Sequence, residues 1–359
     1  MKYKVCVYAI CKNEENFVDR WYDSMKEADE IYVLDTGSSD DTVNKLKENG
    51  INVCIRKIEP WRFDVARNMS LDLVCKDADI CVCTDLDEVF ESGWRSKLEE
   101  CWDCGITRGY YDYNWSFDKY GKPAVSFYRD KIHSRNGYKW THPVHEVLEY
   151  IGDGYEKKKF IDGIILNHYP DNTKSRSSYL PLLELSVKED PNDDRNMHYL
   201  GREYMYYGRW RESIKTLLKH LDLPTATWKD ERSASMRFIA RCYYELGNVT
   251  LARIWLEKAI FETPYLREPL VEMGRLEYYE KNYDIASIYL EKALDIDNKY
   301  KNYINETFCY DYTIYDLLSI CKYEMGNYKD SLYYVTKAVK MDPDNDRLIS
   351  NKKIIEEII

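Results

Sequence analysis

The amino-acid sequence predicts an α/β domain with a mainly parallel sheet, followed by an all-α domain built from repeated helix pairs. Over residues 1–172, short apolar segments of strand length alternate with amphipathic helical segments. Such alternation is typical of a parallel sheet covered by helices. From residue 173 to residue 359 the strand pattern disappears, and small residues recur at the spacing of a helical repeat. We therefore expect two domains, 1–172 and 173–359, which suits a length of 359 residues.

The composition excludes several classes of protein. Hydrophobic residues make up 44% of the chain, which is enough for a packed core and excludes general disorder. The net charge of −11 and the lack of a long basic run argue against nucleic acid or an anionic membrane as the main partner. No apolar stretch approaches the roughly 18 residues that span a bilayer. The apolar run at the N-terminus is short and leads into polar residues, so we interpret it as a buried strand rather than a signal peptide.

The cysteines indicate a reducing compartment. Their number, eleven, is odd, and Cys6, Cys54, Cys81 and Cys83 all fall in apolar, strand-like segments. Reduced cysteine behaves there as a small hydrophobic residue. We therefore expect a cytoplasmic protein.

The strands of the first domain indicate where its functional site is expected. Residues 5–10, 31–35, 53–55 and 80–84 are short apolar runs, and helical patterns cover 14–25, 41–48 and 65–75. Open α/β sheets bind their ligands at the carboxyl ends of the strands. Three of these strands end in polar clusters, which begin at Cys11, Asp35 and Thr84. We expect these clusters to meet at one edge of the sheet.

The most informative cluster is the sequence Asp85-Leu86-Asp87-Glu88. Carboxylates two positions apart at a strand end are suitable oxygen ligands for Mg²⁺ or Mn²⁺, and such an ion in turn binds a diphosphate. On its own, such a pair is weak evidence for a metal site, because a solvated acidic turn can have the same sequence. The preceding strand is wholly apolar, so it is expected to be central and to end at the site.

Two further segments each allow two interpretations. Asp35 can accept hydrogen bonds from a base or a ribose, and Gly37 permits a sharp turn. The same segment can equally be an ordinary strand–turn–helix connection. Arg67 can bind a phosphate or a base carbonyl, or it can pair with Asp64 one helical turn away.

The second domain contains four similar segments with a recurring order of tyrosine, glycine and small residues. Equivalent alanines at 259 and 293 are 34 residues apart, whereas the neighbouring intervals are 39 and 45 residues and contain insertions. Small residues recur where paired helices must approach closely. A helix predicted over 178–188 precedes the first repeat and is expected to cap the array.

Taken together, these segments resemble a known family. The order Lys12-Asn13-Glu14-Glu15, 35–40, Ala66-Arg67-Asn68 and 84–88 resembles the family 2 glycosyltransferases of GT-A fold, whose sheet is Rossmann-like and mainly parallel. The 34-residue period resembles tetratricopeptide repeats. The combination is similar to the bacterial peptide S-glycosyltransferases of glycocin pathways. The resemblance implies a GT-A domain followed by a tetratricopeptide solenoid.

The resemblance also implies roles for individual residues. The nucleotide pocket would be lined by the backbone around the end of the first strand and by polar side chains of the next loops, namely Ala9, Cys11, Asn13, Glu14 and Ser38. Asp35 would meet the base, and Arg67 would contact a base carbonyl or a phosphate. Asp85 would contact the ribose, the metal or a metal-bound water.

Family members of this kind usually hold Mn²⁺ or Mg²⁺. Asp87 would be the main ligand, and a histidine from beyond the sheet would be a further one. His168 and His145 are the candidates, and we favour His168 because it closes an apolar strand-like run. The alternative for either histidine is a purely structural role.

The implied reaction is inverting transfer of a hexose from a nucleotide sugar, such as UDP-glucose, to a peptide, protein or glycan acceptor. Such a transfer needs a general base, for which we favour Glu146 over His145. The repeats would bind the acceptor or a protein partner, or form a homo-oligomer. Two alternatives are a non-catalytic repeat scaffold with a nucleotide-sugar-binding domain, and a sugar nucleotidyltransferase, although the latter usually has a Gly- and Arg-rich loop that is missing after the first strand.

Overall fold

The first part of the chain forms an eight-stranded mixed sheet. The computed structural model describes residues 2–103, 105–171, 177–297 and 301–359. The strands of this sheet are β1 (Val5–Cys11), β2 (Glu30–Asp35), β3 (Asn52–Ile55), β4 (Ile80–Thr84), β5 (Glu88–Phe90), β6 (Arg108–Phe117), β7 (Pro123–Ser134) and β10 (Lys158–His168). A separate two-stranded sheet consists of β8 (Tyr138–Thr141) and β9 (Val147–Tyr150).

The order of strands in the large sheet is β3-β2-β1-β4-β7-β6-β10-β5. The four strands β3, β2, β1 and β4 are parallel to one another, and β6 is parallel to β10. Strand β7 is antiparallel to both β4 and β6, and β5 is antiparallel to β10. The predicted α/β fold with a mainly parallel sheet is confirmed, and the antiparallel β7 lies directly beside the strand that ends at Thr84.

Helices of the first part lie between the strands, at α1 (Val18–Met25), α2 (Thr42–Glu48), α3 (Phe63–Leu73) and α4 (Trp94–Cys101). The helix predicted over 14–25 begins later, at Val18. The reason is local: the backbone N–H of Glu14 donates to Thr42 Oγ1 at 2.7 Å, and that of Glu15 donates to Asp40 Oδ2 at 3.2 Å. These backbone N–H groups therefore bind the loop after β2 and the start of α2.

Alternate residues of β1 belong to two hydrophobic clusters, one on each face of the sheet. Val5, Val7 and Ala9 pack in a large cluster that contains Trp21 and Trp94. Cys6 and Tyr8 pack on the other face, with Cys81, Cys83 and Trp140 among their neighbours. Because β1 and β4 are buried along their whole length, both have the near-continuous apolar sequence typical of central strands. The ten cysteines within the described ranges are free thiols.

The rest of the chain is helical. Its helices are α5 (Tyr179–Glu189), α6 (Asp194–Tyr206), α7 (Trp210–Asp222), α8 (Lys229–Glu245), α9 (Val249–Glu262), α10 (Arg267–Tyr279), α11 (Tyr283–Leu294), α12 (Thr313–Glu324), α13 (Tyr328–Met341) and α14 (Asp346–Glu356). Helices α6/α7, α8/α9, α10/α11 and α12/α13 pack as consecutive pairs. The predicted all-α array of helix pairs is thus confirmed.

Small residues allow the close approach within two of these pairs. A Cβ atom added at Gly201 would lie 2.4 Å from Leu217 Cδ2, and one at Gly274 would lie 2.6 Å from Leu290 Cγ. Both distances are too short for carbon atoms, so the partner leucine occupies the space that a side chain would need.

The chain divides into two units, Met1–Ser186 with Lys301–Tyr303, and Val187–Tyr300 with Ile304–Ile359. The boundary expected between residues 172 and 173 falls within 172–176, which lie outside the described residues. The helix expected over 178–188 is present as α5, and most of it belongs to the first unit. Within the described ranges, no helix combines the length and apolar character that crossing a bilayer requires.

Candidate active site

The carboxyl ends of three parallel strands meet at one edge of the sheet. Cys11 at the end of β1 is paired with Asp35 at the end of β2, and Ala9 is paired with Thr84 at the end of β4. The predicted polar clusters are therefore neighbours. Ala9 itself is completely buried.

Asp35 holds the turn that follows β2. Its Oδ1 accepts hydrogen bonds from the backbone N–H groups of Gly37 and Ser38, each at 3.0 Å, and its Oδ2 accepts from the Ser38 hydroxyl. The Cys11 thiol donates to the same Oδ2 at 3.4 Å. Gly37 has a φ of 108°, which a residue with a side chain rarely adopts. Asp35 is fully buried, and these contacts are those of a strand–turn–helix connection.

Asn13 joins the loop after β1 to the loop after β2. Its backbone N–H donates to Ser38 Oγ at 2.8 Å, and its Oδ1 accepts from the backbone N–H of Ser39 at 2.8 Å. Asn13 has a φ of 54°, a left-handed conformation that asparagine tolerates better than most residues. Together with the Glu14–Thr42 contact, these bonds fix the shape of the edge on which a nucleotide is predicted to bind.

Arg67 is the centre of a charged network behind the end of β4. Its side chain comes from α3 and is buried, with 2% of its surface exposed. Nη2 donates to Asp85 Oδ1, Nη1 to the carbonyl oxygen of Thr84 at 3.3 Å, and Nε to Glu146 Oε1 at 3.0 Å. The alternative that Arg67 pairs with Asp64 is wrong: Arg67 pairs with Asp85 and Glu146, and Asp64 pairs with Arg62.

Asp85 has a second cation beside it. Lys131 Nζ, on β7, lies 3.3 Å from Asp85 Oδ2, and the lysine side chain is only 8% exposed. Burial on its own would raise the pKa of Asp85, but the neighbouring Arg67 and Lys131 outweigh it and hold that pKa well below its usual range. Asp85 is therefore a carboxylate at neutral pH, and both of its oxygens face cations.

Asp87 faces a histidine. His168 Nε2, at the end of β10, lies 3.3 Å from Asp87 Oδ2. The other ring nitrogen, Nδ1, lies 3.0 Å from the carbonyl oxygen of Trp115, and the rings of His168 and Trp115 are stacked. The Trp115 carbonyl and the Asp87 carboxylate can both only accept, so Nδ1 donates to the carbonyl and Nε2 donates to Asp87. Burial on its own would lower the pKa of His168, but the contact with Asp87 outweighs it and raises that pKa.

Glu88 holds the loop that contains the two aspartates. Its Oε2 accepts from the backbone N–H of Asp85 at 2.9 Å, and its Oε1 accepts from the Tyr113 hydroxyl at 2.8 Å. Glu88 is almost completely buried. We interpret it as a residue that orients Asp85 and Asp87.

The two candidate bases have different surroundings. Glu146 is bound to Arg67 and its side chain is 12% exposed. His145 has a φ of 52°, and its ring packs edge-on against Tyr179 with centroids 5.6 Å apart. Both belong to the connection between β8 and β9, so the backbone turn directs the adjacent side chains to different neighbours.

The predicted metal ligands form two separate contacts. Asp85 is bound by Arg67 and Lys131, and Asp87 is paired with His168. Among the described residues, Asp85, Asp87 and His168 do not form a set of three ligand atoms within 4.8 Å of one another. The pair Asp87–His168 is therefore the better candidate for direct metal ligation, with Asp85 beside it.

The sequence did not predict that Lys131 and Arg129 of β7, and the Trp140 ring, would lie near the acidic loop. Lys131 contacts Asp85, and Arg129, two residues earlier on β7, lies over the Tyr113 ring at 5.0 Å. The Trp140 ring lies 5.7 Å from the Arg67 guanidinium. A spacing of two between basic residues in a strand was the available signal, but the pairing of β7 with β4 is not visible in the sequence.

Comparison with known proteins identifies the first part of the chain. Residues 6–140 match the family described as Glycosyl transferase family 2. This match supports a family 2 glycosyltransferase domain in the first part of the chain. This glycosyltransferase domain includes the ends of β1, β2 and β4, Arg67 and both aspartates of the acidic loop, and the family in general uses nucleotide-sugar donors and divalent metals. No curated protein matches the chain significantly.

Solved structures of repeat proteins match the remainder of the chain at low similarity. A structure of MamA is 17% identical, covers 49% of this chain and 96% of its own, and has a TM-score of 0.38. A tetratricopeptide protein of Thermus thermophilus is 19% identical, covers 50% of this chain and 89% of its own, and has a TM-score of 0.35. The Cut9–Hcn1 hetero-tetramer of the APC/C is 15% identical with a TM-score of 0.40; the match spans 50% of this chain and 33% of that one. The repeat assignment is based on the consecutive helix pairs of this chain.

Proposed function

We propose that the protein is a metal-dependent, inverting glycosyltransferase that moves a hexose from a UDP-hexose to a peptide or protein, with a glycan as the other acceptor class. The family 2 domain supports glycosyl transfer in general. The observation that carries the metal dependence is the Asp87–His168 pair at the carboxyl edge of the sheet, in which Nε2 faces the carboxylate at 3.3 Å.

The residues present fit a divalent cation. Metal-bound histidines usually donate their second ring N–H to a carbonyl or carboxylate, which fixes the ring. The contact between His168 Nδ1 and the Trp115 carbonyl is of this kind. Asp87 and His168 would hold Mn²⁺ or Mg²⁺, and the ion would supply positive charge to the diphosphate leaving group.

The cations of the site support the binding of an anionic donor. Arg67, Arg129 and Lys131 surround Asp85, and Arg67 and Lys131 contact it directly. The cations keep Asp85 ionised and hold its carboxylate in place. Asp85 is proposed to contact the ribose of the donor, the metal or a metal-bound water. The nucleobase is proposed to lie along the loops that contain Asn13, Glu14 and Ser38, with Cys11 beneath them.

Inversion requires that the acceptor lose a proton as it attacks the anomeric carbon, while the bond from that carbon to the diphosphate breaks. We propose Glu146 as the base, with His145 as the rival. What supports this choice is that Glu146 binds Arg67, which also binds Asp85. We also propose a cytoplasmic location, which agrees with the free cysteines of the described residues. The repeats are proposed to bind the acceptor or to form a homo-oligomer.

The test is release of UDP and transfer of the hexose, measured by mass spectrometry with UDP-glucose and other UDP-hexoses, Mn²⁺ or Mg²⁺, and a cell lysate as the source of acceptors. We expect a mass increase of one hexose on an acceptor, which disappears with chelator and in Asp87→Asn. Asp72→Asn is the matched control, because Asp72 is an exposed residue of α3. Equal activity in Asp87→Asn and Asp72→Asn would overturn the assignment of the metal pair, and absence of any transfer or UDP release across the donor panel would overturn the proposed function.

A further inference from the structure

The first helices of the repeat region contain a cluster of possible metal ligands that the catalytic domain does not involve. Asp194 is the first residue of α6, His220 lies near the end of α7, and Glu231 lies in the first turn of α8. One ligand atom of each residue lies within 4.8 Å of the other two. Three helices therefore direct an aspartate, a histidine and a glutamate to one point.

The distances suit a small divalent cation. His220 Nε2 lies 3.4 Å from Glu231 Oε1. Ligand atoms that bind Zn²⁺ at about 2.0–2.1 Å in a tetrahedron are separated by about 3.3–3.4 Å. The two side chains thus already stand at the separation that a shared ion requires. His220 is completely buried, and its Nε2 forms no hydrogen bond with the described residues.

The ring of His220 also contacts a serine hydroxyl, through its other nitrogen. Its Nδ1 lies 3.0 Å from Ser235 Oγ, and the same hydroxyl lies 2.7 Å from Nδ1 of His198. With Nδ1 occupied by the serine, Nε2 is the atom available to the cluster. Such an outer contact fixes the orientation and tautomer of metal-binding histidines.

A second cluster within the described residues is less suitable. Cys6, Glu30 and Cys75 also have ligand atoms within 4.8 Å of one another. However, Lys4 Nζ binds Glu30 at 2.8 Å, and the Tyr32 hydroxyl donates to the same carboxylate. The glutamate charge is already balanced there.

We propose that Asp194, His220 and Glu231 bind one Zn²⁺ ion. One imidazole and two carboxylates are a donor set that zinc accepts, and the two negative charges balance the ion. Glu231 and His220 are buried, whereas Asp194 is partly exposed, so the site is open to solvent on the side of α6. The ion joins the start of α6, the end of α7 and the start of α8, and it stabilises the folded repeats by binding them and not the unfolded chain.

The experiment is titration of the full chain with ZnCl₂ after treatment with chelator, followed by calorimetry and thermal unfolding. The Asp87→Asn variant serves as the background, so that zinc bound at the catalytic domain does not contribute. Glu231→Gln and Asp194→Asn remove one ligand each. Asp222→Asn is the matched control, because it removes a carboxylate at the end of α7 that lies outside the cluster.

We expect one equivalent of Zn²⁺ to bind and to raise the unfolding temperature in the background and in Asp222→Asn. In Glu231→Gln and Asp194→Asn, zinc affinity should fall more than about 10-fold, because even changes to outer contacts weaken metal sites by about 10- to 100-fold. X-ray absorption should show one imidazole ligand. If Glu231→Gln does not fold, the zinc affinity of Asp194→Asn tests the proposal, because Asp194 is partly exposed and its substitution is expected to leave the fold intact. Unchanged zinc binding in Asp194→Asn, or no stoichiometric binding in the background, would overturn the proposal.

Discussion

Asp85 and Asp87 are two positions apart in the sequence, but their surroundings give them different chemistry. Asp85 is held between Arg67 and Lys131, and its charge is balanced by the protein itself. Asp87 is directed to His168, whose ring is fixed by Trp115. The acidic motif therefore contains one residue suited to orientation and one suited to direct metal binding.

Single substitutions can distinguish the two histidines that are candidates for the metal ligand. We predict that His168→Gln weakens Mn²⁺-dependent binding of UDP by at least about 10-fold, because it removes a ligand or its support. His145→Gln should leave that binding within about twofold, since the His145 ring packs against Tyr179. Isothermal titration with UDP and Mn²⁺ measures both. The reverse result, with loss only in His145→Gln, would show that the metal histidine is in the β8–β9 connection.

Several residue contacts could be predicted from the sequence, and others could not. The acidic cluster after an apolar strand predicted that the polar strand ends would be neighbours, because parallel strands end at the same edge. The contact of Lys131 with Asp85 depends on β7 pairing with β4, which are about fifty residues apart, and no local pattern specifies it. The buried position of Asp35 depends on hydrogen bonds within its own turn, so the sequence left both interpretations open.

At the scale of helices, the close contact of α10 with α11 depends on Gly274. We predict that Gly274→Ala lowers the free energy of unfolding by about 1–2 kcal/mol. Overpacking against Leu290 costs about 1–3 kcal/mol, and the better helix propensity of alanine returns up to about 1 kcal/mol. Urea denaturation measures the change. In a Leu290→Ala background the same substitution should be neutral or stabilising, because the space is then free; an equal loss in both backgrounds would contradict the packing explanation.

Helices α8 and α10 are also joined by buried charges. Arg241 donates through Nε and Nη2 to the two oxygens of Glu272, at 2.9 and 2.8 Å, and Arg237 Nη1 donates to the same carboxylate. Burial on its own would raise the pKa of Glu272, but the two arginines outweigh it and lower that pKa to about 2.

This arrangement predicts a loss of stability in acid. Because the pKa of Glu272 is lower in the folded state, its stabilisation is present above the unfolded value of about 4.3 and is lost as the pH falls toward the folded value. The difference in unfolding free energy between the wild type and Glu272→Gln should therefore shrink between about pH 5 and pH 2. Denaturant unfolding at several pH values measures it, with Glu257→Gln, an exposed residue of α9, as the control. A difference that does not change with pH would contradict the prediction.

At the scale of the whole molecule, the residues of the proposed donor site and the repeats lie in different units of the chain. We predict that a fragment of residues 1–190 retains UDP binding but loses transfer to a macromolecular acceptor. The fragment extends to residue 190 because Tyr179 of α5 packs against Phe63 and His145. Circular dichroism and gel filtration must first show that the fragment is folded. A folded fragment that modifies its acceptor as fast as the full chain would show that the repeats do not bind the acceptor.

The fluorescence of Trp140 is expected to respond to binding at the proposed donor site. Its indole is buried, donates to the Tyr8 hydroxyl at 2.9 Å, and lies 5.7 Å from the Arg67 guanidinium and 6.0 Å from Lys131 Nζ. The emission of an indole responds to nearby charge, and a diphosphate that draws these two cations would alter the field at the ring. Intrinsic fluorescence should thus report donor binding in the unlabelled protein, and the signal should be absent in Trp140→Phe. The same ring that packs beneath the cations would then allow donor affinity to be measured before any acceptor is known.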